Sequence, residues 1–188
     1  MKLLITKYSH RIINQKSINC CCPIVIITLI EYLIQKDFNK LEKLCHTNLY
    51  MKCLVEYKLP YNSTLSVNQV VNCYNKYNDL KVQIYDKEST LENIKYIIDN
   101  LDQPCATILD VYEYNSISLY NSRKVINLPK CTDNVFLSHS ILIVGYNDEE
   151  KYLVFQNSFG EEWGYNGFGL ISYDYITKFR KIYTLKFS

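Results

Sequence analysis

A chain of 188 residues, 48% of them apolar, with mixed charges and a formal net charge of +2, is long enough to bury a core in one domain or two small lobes without disulfide or metal staples. This composition argues against a wholly disordered protein. The lack of any basic run or stripe argues against nucleic acid as a partner.

In chain order, the start carries Lys2 and a few apolar residues, but Lys7, His10 and Arg11 interrupt any hydrophobic region, so no signal peptide is read there. The longest apolar stretch, Pro23 to Ile34, is broken by Thr28 and Glu31 and falls short of the roughly 20 residues needed to cross a bilayer. No membrane partner is expected. The eight cysteines read as free thiols of a soluble, intracellular protein. Abundant Asn, Ile, Lys and Tyr beside a single alanine, Ala106, suggest a biased genome such as that of a parasite or a large virus, and a place in a virion stays open.

Cys22 to Gln35 is apolar almost all round, with Ile24, Ile27, Ile30 and Ile34 at helical spacing, which predicts a buried helix. Pro23 fits only in a first turn, so the helix should start near Cys21 or Cys22. Ser66 to Lys76 and Thr90 to Leu101 are further helical candidates, the second ended by Gln103-Pro104. Beyond Pro104 the pattern turns to strands, from Ala106, Ser140, Tyr152 and Gly167 onwards, with Asn147 to Glu150 as a hairpin loop. Helices before strands predict an α+β protein, with a helical lobe, a sheet or barrel lobe and a cleft between them.

Two segments carry the most specific signal. His139-Ser-Ile-Leu-Ile-Val-Gly-Tyr is followed by Asn157-Ser-Phe-Gly-Glu-Glu-Trp-Gly-Tyr-Asn-Gly-Phe. This hairpin resembles the papain family, in which a His precedes an apolar strand ending in Gly-Tyr and the return strand delivers Asn-Ser-Trp-Gly-x-x-Trp-Gly-x-x-Gly-Tyr. Asn157, Ser158, Gly160, Trp163, Gly164 and Gly167 match, with Phe159 for the first Trp and Phe168 for the Tyr. Adjacent antiparallel strands hold side chains about 4.5–5.5 Å apart, so the hairpin can set the Asn157 oxygen against the His139 ring and fix its tautomer. Phe159 would shield that bond from water as the family's Trp does.

The resemblance also implies a nucleophile. The family places Gln six residues before a Cys at the start of a long buried helix, and Glu ten residues after that Cys. Gln15, Cys21 and Glu31 satisfy both intervals and select Cys21 from Cys20-Cys21-Cys22. A thiol at a helix N-terminus, near an imidazolium, is favoured as thiolate. Cys21 is then the nucleophile, His139 the base, Asn157 its orienting partner, and Gln15 an oxyanion donor with the Cys21 backbone N–H. Glu31 reads as structural, a buried carboxylate needing an unnamed partner.

Leu65-Ser-Val-Asn-Gln-Val-Val-Asn-Cys73 is similar to the family's Leu-Ser-Glu-Gln-Glu-Leu-Val-Asp-Cys helix. Several positions depart from the pattern. Ile18 stands where the family has the cysteine that pairs with the counterpart of Cys73, so that disulfide is not expected. Asn19 replaces a glycine and is expected to tolerate a left-handed backbone there. No Gly-Gly follows Cys73, which leaves substrate preference open. Only fourteen residues precede Gln15, too few for the family's inhibitory propeptide, so restraint is expected to come from elsewhere.

The fold expected from the resemblance is a papain-like two-lobed α+β fold: one catalytic domain over residues 1–188, mainly helical over about 15–103 and mainly β over about 104–188. The expected activity is that of a cysteine endopeptidase acting on protein or peptide substrates, without cofactor or metal. Cys45, His46 and Cys53 lack the spacing that completes a zinc site. Tyr112, Tyr114 and Tyr120 read as sheet and surface aromatics. An exopeptidase, an acyltransferase using the same thiolate, and an idle papain-like binding or virion protein are the alternatives.

Overall fold

The computed structural model describes residues 1–4, 11–112, 124–128 and 134–188. Lys7, His10, Tyr114 and Tyr120, used above, lie outside the described residues. Strand β1 is Lys2–Leu3, and helix α1 is Cys21–Phe38. Helix α1 is enclosed from Cys22 to Ile30 without a break, Thr28 included, as its almost wholly apolar sequence requires, and Pro23 sits in its first turn. It runs three residues past Gln35 and stops at Asn39, whose left-handed backbone (φ 52°) lets its N–H return to the Gln35 carbonyl at 3.0 Å.

Helix α2, His46–Glu56, was not foreseen, although Leu49, Tyr50, Cys53 and Leu54 lie on one buried face at helical spacing. Helix α3 is Val67–Tyr77, started by a capping box in which Ser66 and Gln69 satisfy each other's backbone N–H groups. Helix α4 is Leu91–Asn100, capped by the Thr90 hydroxyl. Both match the helices read from the sequence to within a residue.

One sheet holds the strands in the order β2-β8-β3-β5-β6-β7-β4, with β1 on the side of β5. Its members are β2 (Val82–Lys87), β3 (Cys105–Tyr112), β4 (Val125–Ile126), β5 (Val135–Asn147), β6 (Tyr152–Gln156), β7 (Phe168–Ser172) and β8 (Phe179–Phe187). Every pairing is antiparallel except β4 with β7. A 3-10 turn, Tyr173–Lys178, leads from β7 into β8. The β5–β6 connection is the expected hairpin loop, closed by Asn147 Oδ1 accepting from the Glu149 and Glu150 backbone N–H groups at 3.0 and 3.2 Å. Gly145 is needed where β1 crosses β5, because a Cβ there would collide with the Lys2 carbonyl.

The helices therefore pack as a layer against a sheet built largely from the second half of the chain. Strand β2 is the exception: it leaves the helical half and pairs with β8 from Val82↔Phe187 to Lys87↔Ile182. The core runs continuously from α1 through β5 and β6, and β6 is buried at all five positions. Among the described residues no helix is long and apolar enough to cross a membrane.

Candidate active site

The first turn of α1 meets β5 at the edge of a cleft of about 690 Å³, lined on the helical side by Gln15, Cys21 and Leu65 and on the sheet side by Ile108, His139 and Phe159. All four residues singled out from the sequence, Gln15, Cys21, His139 and Asn157, come together at this point, although Asn157 lies behind the cleft wall and is buried.

His139 lies within β5, opposite Leu109 of β3, and is 4% exposed. Its Nε2 is 2.7 Å from Asn157 Oδ1. The two residues are not directly opposite, as the hairpin alone had suggested. Leu142 pairs with Gln156, the last residue of β6, so continuing that register would set Ile141 opposite Asn157. The contact is diagonal, made just beyond the paired strands.

A neighbouring bond fixes the proton. Asn157 Oδ1 also lies 2.8 Å from the Ser158 backbone N–H, which can only donate. That atom must be the amide oxygen, so His139 Nε2 carries the hydrogen it shares with Asn157. Nδ1 is left without a partner among the described residues, and the imidazole and the Cys21 thiol interact, each favouring the other's charged form. Phe159 stacks on the imidazole at 5.0 Å between ring centroids and 24° between planes, and Trp163 meets Phe159 edge-on at 6.1 Å. The sharp turn after Phe159 uses Gly160 at φ 86°.

The three adjacent thiols see different surroundings. Burial works against a thiolate at Cys21, but His139, with help from Ser140, outweighs it and brings the thiol from 9.0 to about 7. Burial pushes Cys20 up to about 11, and the neighbouring Cys21 adds to the rise. Burial pushes Cys22 up further still. Burial likewise works against an imidazolium at His139, but the Cys21 and Asn157 contacts raise it above its ordinary 6.5.

Gln15 reaches the site because residues 11–15 run alongside 156–160. Gln156 Nε2 donates to the Arg11 carbonyl at 2.9 Å, the Gln15 N–H to the Ser158 carbonyl at 2.8 Å, and the Gly160 N–H to the Ile13 carbonyl at 3.2 Å. The Gln15 side-chain oxygen accepts from the Ser158 hydroxyl at 2.5 Å, while Nε2 donates to the Ile18 carbonyl at 3.0 Å. Ser158 thus has a positioning contact that the sequence reading missed, although its place in the matched motif was a signal. Ser140, beside the thiol, had none.

Asn19 corrects an expectation. It is not left-handed: among the described non-glycine residues of this loop the positive φ, 53°, falls on Lys16. Asn19 instead clamps Asn62, its N–H donating to Asn62 Oδ1 at 2.6 Å and its Nδ2 to the Asn62 carbonyl at 2.8 Å. Glu31 gains the partners it lacked on sequence grounds, as Oε1 accepts from Arg11 Nη2 at 2.6 Å and the Leu44 N–H at 2.7 Å. Burial still pushes its carboxyl upward. Cys73, with Ile18 in place of its family partner, is a free buried thiol, as is Cys53. Among the described residues no group of three or more His, Cys, Asp or Glu could hold a metal ion.

Comparison with known proteins bears on this geometry. Residues 30–180 match the papain family cysteine protease domain. The match contains His139 and Asn157 but begins after Gln15 and Cys21. An uncharacterised peptidase C1-like protein of Acanthamoeba polyphaga mimivirus is 33% identical over 52 residues, 28% of this chain and 17% of that protein. Mouse cathepsin J is 33% identical over 78 residues, 38% of this chain and 22% of that protein. The matched stretches thus span about a fifth of those relatives. Among solved structures, xylellain, a cysteine protease from Xylella fastidiosa, superposes with a TM-score of 0.81 at 16% identity, covering 98% of this chain and 85% of that one. Procathepsin L 3 of Tenebrio molitor larval midgut gives 0.76 at 14% identity, covering 98% and 73%. The two-lobed papain-like fold accounts for both superpositions, and with the family match running over most of its length, the chain belongs to the papain family of cysteine proteases.

Proposed function

We propose that this chain is a cysteine endopeptidase that hydrolyses peptide bonds of protein or peptide substrates through Cys21, His139 and Asn157, residues 1–188 acting as one catalytic domain. The observation that carries this reading is the imidazole of His139. One ring nitrogen is held by an amide oxygen at 2.7 Å, and the same imidazole favours the thiolate of the one thiol of three that is lowered, to about 7.

The Cys21 thiolate attacks the scissile carbonyl carbon. The oxygen that becomes negative is received by the Cys21 backbone N–H, at the start of α1, and by Gln15 Nε2–H. Nε2 carries two hydrogens, and Ile18 takes only one of them. The imidazolium passes its Nδ1 proton to the departing amine as the C–N bond breaks, leaving a thioester on Cys21. Water then attacks the thioester, giving its proton to His139 and releasing the carboxylic acid and the thiolate. The Asn157 oxygen keeps the ring oriented throughout, and stacking by Phe159 excludes water from that bond.

The test pairs activity with labelling. Peptide mixtures are incubated with the protein, products are read by mass spectrometry, and a thiol-directed epoxide inhibitor is mapped. Internal cleavage that is lost in Cys21→Ala, with the epoxide on Cys21, supports the proposal. A folded protein that cleaves nothing and leaves Cys21 unlabelled is an idle scaffold, and the proposal fails.

A further inference from the structure

The two lobes place one permanent charge in the cleft. Apart from the Cys21 and His139 pair, Arg180 is the only ionisable side chain among the described residues that line it. Its neighbours in the wall are Ile108 of β3 and Leu137 and Ser138 of β5. Arg180 is the second residue of β8, which pairs with β3 as β3 pairs with β5; by these registers it falls with Asp110 and Ser138, alternate to the Phe179, Leu109 and His139 row, and it meets His139 as a fellow lining residue of the cleft.

The guanidinium is held from behind. Nε and Nη2 donate to Asp110 Oδ1 at 3.3 and 3.1 Å, Nη2 donates to the Ser138 hydroxyl at 2.6 Å, and that hydroxyl donates to the same Asp110 oxygen at 3.1 Å. Asp110 does not line the cleft. All three contacts fall on the Nε and Nη2 edge, and a guanidinium has five N–H groups in a fixed plane. Among the described residues nothing is bonded to Nη1, which can serve a ligand, and the side chain is 57% exposed. An anchored Arg beside apolar Ile108 and Leu137 suits a side chain with a short apolar stem and a carboxylate tip.

We infer that Arg180 is a specificity-determining residue, which selects an acidic side chain, Asp or Glu, of a peptide substrate at one fixed position near the scissile bond. This rests on the peptidase reading above and adds the substrate class. Asp110 tunes the selection: it orients the guanidinium but also draws on its charge, so its neutralisation sharpens the preference.

The experiment uses a peptide library blocked at both termini, which removes terminal carboxylates as a second source of the same chemistry. Cleavage products of the parent, Arg180→Glu, Arg180→Gln and Asp110→Asn proteins are sequenced by mass spectrometry. The parent should favour Asp or Glu over Asn or Gln at one position by about tenfold or more, with the preference shrinking as salt is raised, because the site is partly exposed. Arg180→Gln should lose the preference, Arg180→Glu should turn it toward Lys or Arg, and Asp110→Asn should strengthen it. Arg180→Gln avoids placing a new carboxylate against Asp110 and keeps the test open should Arg180→Glu fold poorly. A parent enzyme indifferent to charge, or an acid preference that survives in Arg180→Gln, overturns the inference. No cleavage by the parent, or cleavage undiminished in Cys21→Ala, would instead sink the peptidase reading itself.

Discussion

On the sheet side of the cleft the imidazole is enclosed: β3 pairs with its backbone, Phe159 covers its face, and Asn157 holds one nitrogen. On the helical side the thiol stands at the mouth of α1, and the loop before it is tied mainly by Asn19 to Asn62 and by Gln15 to Ser158. The difference separates two tasks. The sheet wall sets protonation, because its fixed dipoles decide which nitrogen carries hydrogen and how far a neighbouring thiol is lowered. The helical wall sets register, because α1 turns each successive side chain by about 100°, so that one cysteine of three faces the ring.

If the walls divide the work in this way, damage to each should read out differently. The largest effect is expected on the helical side. Gln15→Ala should cut kcat by about 10²–10³-fold, the usual cost of one oxyanion donor, with KM and the pH profile little changed. Steady-state kinetics check this, and a Gln15→Ala protein with parental kcat would take the amide out of the reaction.

On the sheet side, Asn157→Ala should lower kcat by roughly 10²-fold, the lower range for disturbing a positioned acid–base group, while the protein still folds. It should also change the pH profile. The parent is expected to show a bell, rising as the thiol loses its proton and falling as the imidazolium does, with limbs that belong to the coupled pair. Asn157 helps to raise His139, so its removal lowers the pH at which the imidazolium is lost, and the falling limb moves toward acid. A lower rate with an unmoved alkaline limb would deny Asn157 any hold on the ring's proton.

The smallest effect lies away from both walls. Arg11→Ala leaves the Glu31 carboxylate, 11% exposed, with the Leu44 N–H as its remaining hydrogen-bond donor among the described residues, and should cost about 1–3 kcal/mol of stability. Urea unfolding should show a lower midpoint at unchanged slope. An unchanged midpoint would mean that Glu31 is not charged in the folded protein.

The same division explains what could be read from the sequence. The sheet wall is carried by a local segment, His139 to Phe168, whose rare residue types mark it even before the register is known. The exact contact was not legible, since His139 and Asn157 meet diagonally past the end of β6, which pairing rules for a hairpin do not convey. The helical wall was legible only as intervals from Gln15 to Cys21 and Glu31. What Gln15 touches was not, because its partner Ser158 is 143 residues away. Helix α2, β2 and β8 were missed for different reasons. The buried face of α2 sits among Asn and Lys residues that mask its period. Strand β2 is exposed at three of its six positions and gains its place only by pairing with β8 across the whole second half of the chain. Arg180, at the start of β8, was invisible as a cleft residue for the same reason.

The central claim is that the sheet wall lowers one thiol and leaves its neighbours raised. It is tested most directly by measuring alkylation of Cys20, Cys21 and Cys22 separately, by mass spectrometry of the peptide that holds them, as pH is raised from mildly acidic to alkaline. Cys21, lowered to about 7, should react well ahead of Cys20, raised to about 11, and of Cys22, raised further and buried. The lead of Cys21 should be greatest at or below neutral pH and should shrink in Asn157→Ala. Equal, slow labelling of all three thiols, or faster labelling of Cys20 or Cys22, would contradict the account.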